Sequence, residues 1–195
     1  MFSKRATIAV IVLAMVAVLS SGMIYAYFND TETSSGNSFT AGTLDLKVNS
    51  VDNPTSTFTV SDVYPGATNS VSVTLTNSGT ISGTLSVAII SVTNGPGQTP
   101  EPEAALGTAD NGELGSKMDV TLWIDTDGDN MIDGGETPLY TGLLDNANGV
   151  SLTANTLIGG ASTHIGIMYS VPHDVGNEIQ GDICTFSIHY TLVQA

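Results

Sequence analysis

The stretch Ile183-Cys184-Thr185-Phe186-Ser187-Ile188-His189-Tyr190-Thr191-Leu192-Val193 decides the fold. Cys184, Phe186, Ile188, Tyr190 and Leu192 fall on one side, and Ile183, Thr185, Ser187, His189 and Thr191 on the other. That two-residue period is the mark of a half-buried strand. Upstream, Thr163–Val171 repeats it with Ile165, Ile167, Tyr169 and Val171. Val150–Leu157, Leu139-Tyr140 and Met118–Ile124, which holds the only Trp (Trp123), read as further short strands. So do Thr43–Val48 and Ser70–Thr76, the latter with Val71, Val73 and Leu75 on one face. Asn77-Ser78-Gly79 turns the chain and Thr84–Val92 returns it, which predicts a hairpin of two paired strands. Tyr64-Pro65-Gly66 marks another turn, and 172–181 a polar loop. This number of short strands between turn residues predicts an all-β chain folded as one β-sandwich.

Composition agrees. The chain has 195 residues, 21 of them Gly, and only 12% are charged. Four basic residues face 19 acids, a formal charge of −15. Such a surface repels phosphate and attracts cations, so nucleic-acid binding is excluded. A single Cys rules out an intramolecular disulfide, and three His without a His-Glu-x-x-His run give no zinc-protease signature. Residues 95–117 carry Pro96, Pro100, Pro102, Glu101 and Glu103 and read as a surface excursion with a short helix at 103–106.

Lys4 and Arg5 precede an apolar run from Ala6 to Leu19. Ser20-Ser21-Gly22 interrupts it, and Ile24-Tyr25-Ala26 offers a small residue for cutting. This is the layout of a secretory signal peptide over 1–26, cleaved between Ala26 and Tyr27 by a signal peptidase. An uncleaved anchor is the competing reading, since Ala6 to Phe28 holds no charge. Cleavage leaves only Lys47 and Lys117 against all 19 acids.

The sharpest chemical signal is Asp125-Thr126-Asp127-Gly128-Asp129-Asn130-Met131-Ile132-Asp133-Gly134-Gly135-Glu136. Asp125, Asp127 and Asp129 stand at positions 1, 3 and 5 of a twelve-residue calcium loop. The Met131 carbonyl is at position 7, Asp133 at 9 and Glu136 at 12. Asn130 replaces the usual Gly at position 6, and Asn tolerates the left-handed conformation needed there. The bland alternative is a solvated acidic turn, but its carboxylates would repel one another without a cation. No helix pair flanks the loop, so a bound Ca2+ would be structural and not a sensor. His164, His173 and His189 are scattered, Cys184 reads as a buried hydrophobe, and neither a nucleophile elbow nor a phosphate loop is present.

Behind the leader the chain reads Ala26-Tyr27-Phe28-Asn29-Asp30-Thr31-Glu32, then Asn37-Ser38-Phe39-Thr40-Ala41-Gly42-Thr43-Leu44-Asp45-Leu46. This run closely resembles the start of the TasA/camelysin (CalY) family, whose precursors carry a SipW-type signal peptide. Looser matches are Tyr64-Pro65-Gly66, Leu75-Thr76-Asn77-Ser78-Gly79-Thr80 and Gln180-Gly181-Asp182. The resemblance implies a jelly-roll sandwich over 43–195 that polymerises outside the cell, as biofilm matrix fibres or as pili similar to archaeal bundling pili. It further implies an N-terminal arm, 27–42, that enters the sheet of the next subunit as a donor strand, anchored by Tyr27, Phe28 and Phe39. Such head-to-tail addition gives a homopolymer that does not close on itself. The expected protein is thus a secreted filament subunit that meets the membrane only through its leader. A monomeric secreted or cell-surface binding domain is the alternative. A camelysin-like metallopeptidase is the third reading, one for which the sequence shows no zinc-and-base constellation.

Overall fold

The computed structural model describes residues 3–21, 40–98, 101–107 and 109–194. The chain falls into two compact units, Met1–Thr40 and Ala41–Ala195. In the first, the apolar run forms a helix, α1 (Lys4–Ser21). Among the described residues no helix is long and apolar enough to cross a membrane.

The second unit is the predicted all-β sandwich. Its strands are β1 (Leu46–Val48), β2 (Thr55–Ser61), β3 (Thr68–Asn77), β4 (Gly83–Gly95), β5 (Asp119–Asp125), β6 (Pro138–Leu143), β7 (Ser151–Leu157), β8 (Ser162–Ser170) and β9 (Ile183–Gln194). Short helices α2 (Glu101–Ala104), α3 (Leu114–Lys117) and α4 (Leu144–Ala147) and a 3-10 turn (Asn177–Ile179) lie in the connections. One sheet runs β1-β3-β8-β5-β6 and the other β2-β9-β4-β7, with every strand pair antiparallel. Strands β2 to β9 alone, in the orders 2-9-4-7 and 3-8-5-6, have the two-Greek-key order of a jelly roll. β1 is added at the free edge of β3.

The alternation in β9 sets the core. Cys184, Phe186, Ile188 and Tyr190 are buried between the sheets with Leu85, Val87 and Ile89 of β4, Val120 and Leu122 of β5, and Ile165 and Ile167 of β8. Phe186 stacks on Phe58 of β2, ring centres 5.3 Å apart. Trp123 does the opposite. It points to the outer face of its sheet and is fully buried there, over Gly166, where an added Cβ would lie 2.1 Å from the indole ring.

Three expectations need correction. The segments 70–76 and 84–92 do not form a hairpin: β3 pairs with β8, β4 with β9 and β7. The turn after β3 instead carries the chain from one sheet to the other. Asn77, fully buried, holds this corner. Its amide donates to the carbonyls of Ile81 (2.8 Å) and Leu157 (3.1 Å) and its oxygen accepts from Gly79 N–H (3.0 Å). Strand β2 is not among the expected strands, since its apolar residues are only Phe58 and Val60. The 95–117 excursion is not all surface either. Leu114 is fully buried, and Glu103 is 5% exposed.

The two long sides of the sandwich differ. On the side of edge strands β6 and β7, Leu114 of α3 and Leu144 and Ala147 of α4 are buried and close the core. On the side of β2 and β3 no helix closes it among the described residues.

Candidate functional site

Asp125 ends β5 on the sheet's outer face, and the acidic loop folds back over that face. Gly128 comes close to the His164 ring, and Asn130, Met131 and Ile132 line a cleft with Thr68, Asn69, Ser70 and Met168. Asp125 is fully buried. Its carboxylate accepts from Gly128 N–H at 2.8 Å and Asn130 N–H at 3.3 Å. Asp127 accepts from Asp129 N–H (3.2 Å), and Asp129 from Met131 N–H (2.7 Å). Glu136 returns to the start of the loop, where its Oε1 accepts from the Thr126 amide and, at 2.9 Å, the Thr126 hydroxyl. Asn130 has φ 65°, the left-handed conformation expected of position 6.

The loop thus gathers all five of its carboxylates. Asp125, Asp127 and Glu136 each offer an oxygen within 4.8 Å of the others, and so do Asp127, Asp129 and Asp133, with Asp127 common to both sets. Glu136 Oε2 is buried without a hydrogen-bond partner. Desolvation, then the charges of Asp127, Glu136, Asp129 and Asp125, push the Asp133 carboxyl above the usual range. Oxygen donors alone, on a tight turn and short of positive charge, suit a hard cation. Met131 has an exposed side chain (65%), so a backbone role at position 7 needs nothing from it.

Histidine belongs to none of these sets. Among the described residues no His or Cys joins a carboxylate cluster. His164, in register with Asp125, sits beside the loop and pairs through Nδ1 with Thr74 Oγ1 at 3.1 Å. His189 pairs with Thr55 Oγ1 at 3.2 Å, and His173 lies against Gly66. The proximity of His164 to the loop arises from strand pairing and carries no local sequence signal. Cys184 is fully buried, and burial pushes its thiol up to about 12, with the charges of Asp145 and Asp182 adding to the rise. It is a core hydrophobe, as its setting in the last strand suggests.

A second feature lies on the open side. β1 pairs with β3 only at Leu75, Thr76 and Asn77, and Asn49 extends the contact to Thr74. From Thr68 to Val73, no described strand covers that edge of β3. β2 likewise pairs on one side only, with β9. Between the two edges runs a cleft of ≈ 190 Å³ lined by Phe58, Val60, Val71, Ile167, Tyr169 and Phe186 among others, adjoined by a second beside Val48, Val51 and Val73. Val71 shares a face with buried Val73 and Leu75 yet is 38% exposed. Natural sheets protect open edges with charge or proline. β2 and β3 contain neither, in a chain with 19 acids.

Fold and site together define an acidic jelly-roll protein with carboxylate clusters and, among the described residues, an uncovered sheet edge. The family model for camelysin metallo-endopeptidase matches residues 1–132, and the chain belongs to that family. No curated protein matches it. Membership implies metal binding, and the acidic clusters can hold an ion. Among the described residues the clusters do not fit a histidine-ligated catalytic zinc, which takes nitrogen ligands and keeps an open position. The expected cleavage pair Ala26 and Tyr27, and the expected donor-strand anchors Tyr27, Phe28 and Phe39, lie outside the described residues.

Proposed function

We propose that this protein is a secreted subunit of an extracellular homopolymer, built by strand addition. The arm 27–42 of one copy enters the cleft between β2 and β3 of the next, pairs with the free edge of β3, and buries Tyr27, Phe28 and Phe39 against the apolar floor. The observation that carries this is the uncharged edge of β3 above an apolar cleft, left unpaired from Thr68 to Val73 and closed by no helix among the described residues. Backbone hydrogen bonds would supply affinity and alternate side chains the register. Reach is ample. Thirteen extended residues span about 43 Å, against about 20 Å for Thr68–Val73. Removal of the leader by a signal peptidase would free the arm. A calcium ion held by Asp125, Asp127, Asp129, the Met131 carbonyl, Asp133 and Glu136 would fix the loop to the outer face and offset charge that opposes bundling.

Electron microscopy of protein beginning at Tyr27 tests this. Filaments are expected, lost on deletion of 27–39 and in Val71→Lys, with the thermal unfolding of both variants near that of the parent. Monomeric parent protein, or filaments indifferent to Val71→Lys, would overturn the proposal. The family's description favours a second reading, proteolysis. Casein hydrolysis abolished by a chelator would support it.

A further inference from the structure

A second acidic cluster lies away from the loop, where the 95–117 excursion meets the turn ahead of β9. Glu103 is on α2, Asp110 and Glu113 precede α3, and Asp182 precedes β9. Close backbone approaches hold these segments together. A Cβ at Gly97 would lie 1.9 Å from the Gly181 carbonyl oxygen, and one at Gly112 would lie 2.6 Å from the backbone of Gly95. All four carboxylates offer an oxygen within 4.8 Å of one another.

Burial sets this cluster apart from an ordinary acidic surface. Asp182 is 1% exposed and Glu103 5%. Asp182 Oδ2 accepts from Glu113 N–H (2.6 Å) and Leu114 N–H (2.9 Å), but its Oδ1 is buried without any partner. Glu103 Oε2 is likewise buried and unpartnered. Lys117, the only basic side chain among the described residues lining the adjoining cleft, is paired with Glu178 at 3.2 Å. Desolvation, followed by the neighbouring acids, raises the pKa of Glu103, and desolvation raises that of Asp182 against the two amide bonds it accepts. Two buried oxygens without hydrogen-bond partners, inside a cluster made only of carboxylates, need a positively charged partner to offset their desolvation.

We propose that Glu103, Asp110, Glu113 and Asp182 hold a second divalent cation, a hard ion of the calcium class, which ties the excursion to the turn ahead of β9. All the ligands are oxygens, as such an ion requires. Asp182 lies beyond the part of the chain matched by the family model. The site would convert a loop with little core of its own into a cross-linked cap beside Leu114.

The test is calorimetric titration of the chelator-stripped full-length chain in detergent with calcium chloride. Two ions per chain are expected for the parent, one for Glu103→Gln, one for Asp127→Asn in the separate loop, and none for the double variant. Glu113→Gln, at a partly exposed position, should repeat the loss seen with Glu103→Gln and decides the matter if that variant fails to fold. In chelator, Glu103→Gln should melt no lower than the parent, since it removes a buried charge. Calcium should slow proteolytic cutting within 95–117 at least tenfold in the parent and not in Glu103→Gln. Undiminished stoichiometry in both Glu variants, or parental binding abolished entirely by Asp127→Asn, would overturn the proposal. Either result would leave the assembly test untouched.

Discussion

Replacing Asp127 with Asn isolates what a cation contributes to the acidic loop. Asp127 belongs to both carboxylate sets of the loop, yet it is exposed and accepts a single backbone hydrogen bond, from Asp129 N–H. Asn keeps an acceptor oxygen and nearly the same shape. In chelator the variant should therefore lie within about 0.5 kcal/mol of the parent, as exposed substitutions do. It should lose none of the parent's stability there, because carboxylates within 4.8 Å of one another repel by about 1 kcal/mol per pair even in water. With calcium the two should separate. An ion at a hundred times its dissociation constant stabilises the native state by about 2.7 kcal/mol. A unit the size of Ala41–Ala195 gains about 2–4 °C per kcal/mol, so the loop should add about 5–11 °C to the melting temperature. Scanning calorimetry in chelator and in calcium reads this directly. Parent and Asp127→Asn should coincide in chelator, and the parent should rise further in calcium by that amount. An equal rise in both proteins would refute the reasoning, since the shared carboxylate would then carry no ion. The increment from the second cluster would persist in Asp127→Asn and vanish in Glu103→Gln, so the two sites are separable by the same scans.

Other substitutions probe the framework. Gly166→Ala should destabilise by about 1–3 kcal/mol in denaturant titrations, because the new methyl meets the Trp123 ring and both residues sit in a paired sheet. Asn77→Ala should cost at least about 2 kcal/mol by the same assay, since it orphans the buried groups that its three hydrogen bonds satisfy. Cys184 should resist thiol reagents until the protein unfolds. Its folded pKa of about 12 exceeds that of the unfolded chain, so above pH 9 only the unfolded state releases the proton. Stability should then fall as pH rises, by about 1.4 kcal/mol per pH unit, and Cys184→Ala should remove that slope below pH 10. Above pH 10 Tyr190 acts in the same direction, its hydroxyl being raised by burial to about 12.

How much of this is legible in the sequence depends on the range of the interaction. The alternation of β8 and β9 is local, and the strands and their inward faces follow from it. The calcium-loop spacing is local too, and even the conformation of Asn130 follows from the position it occupies. Sheet membership is not local. Ser70–Thr76 and Thr84–Val92 read as a hairpin because a short Asn-Ser-Gly turn usually joins paired strands. The chain changes sheets there instead, held by the bonds of Asn77 to Ile81 and to Leu157, the latter eighty residues away. β2 escapes notice because an edge strand over an open cleft buries only Val60 and half-buries Phe58. The second acidic cluster is invisible for the same reason. Glu103 and Asp182 are far apart in the chain, and a Pro- and Gly-rich excursion gives no sign that its acids end up buried.

The unequal flanks of the sandwich have a consequence for any assembly made through them. With helices sealing one flank, the proposed strand addition would use the other, one slot taking one arm per molecule. A chain of such molecules is directional. Under that proposal one terminus would present a vacant slot and the other an unused arm, so growth, capping and attachment to a surface would each have to distinguish head from tail.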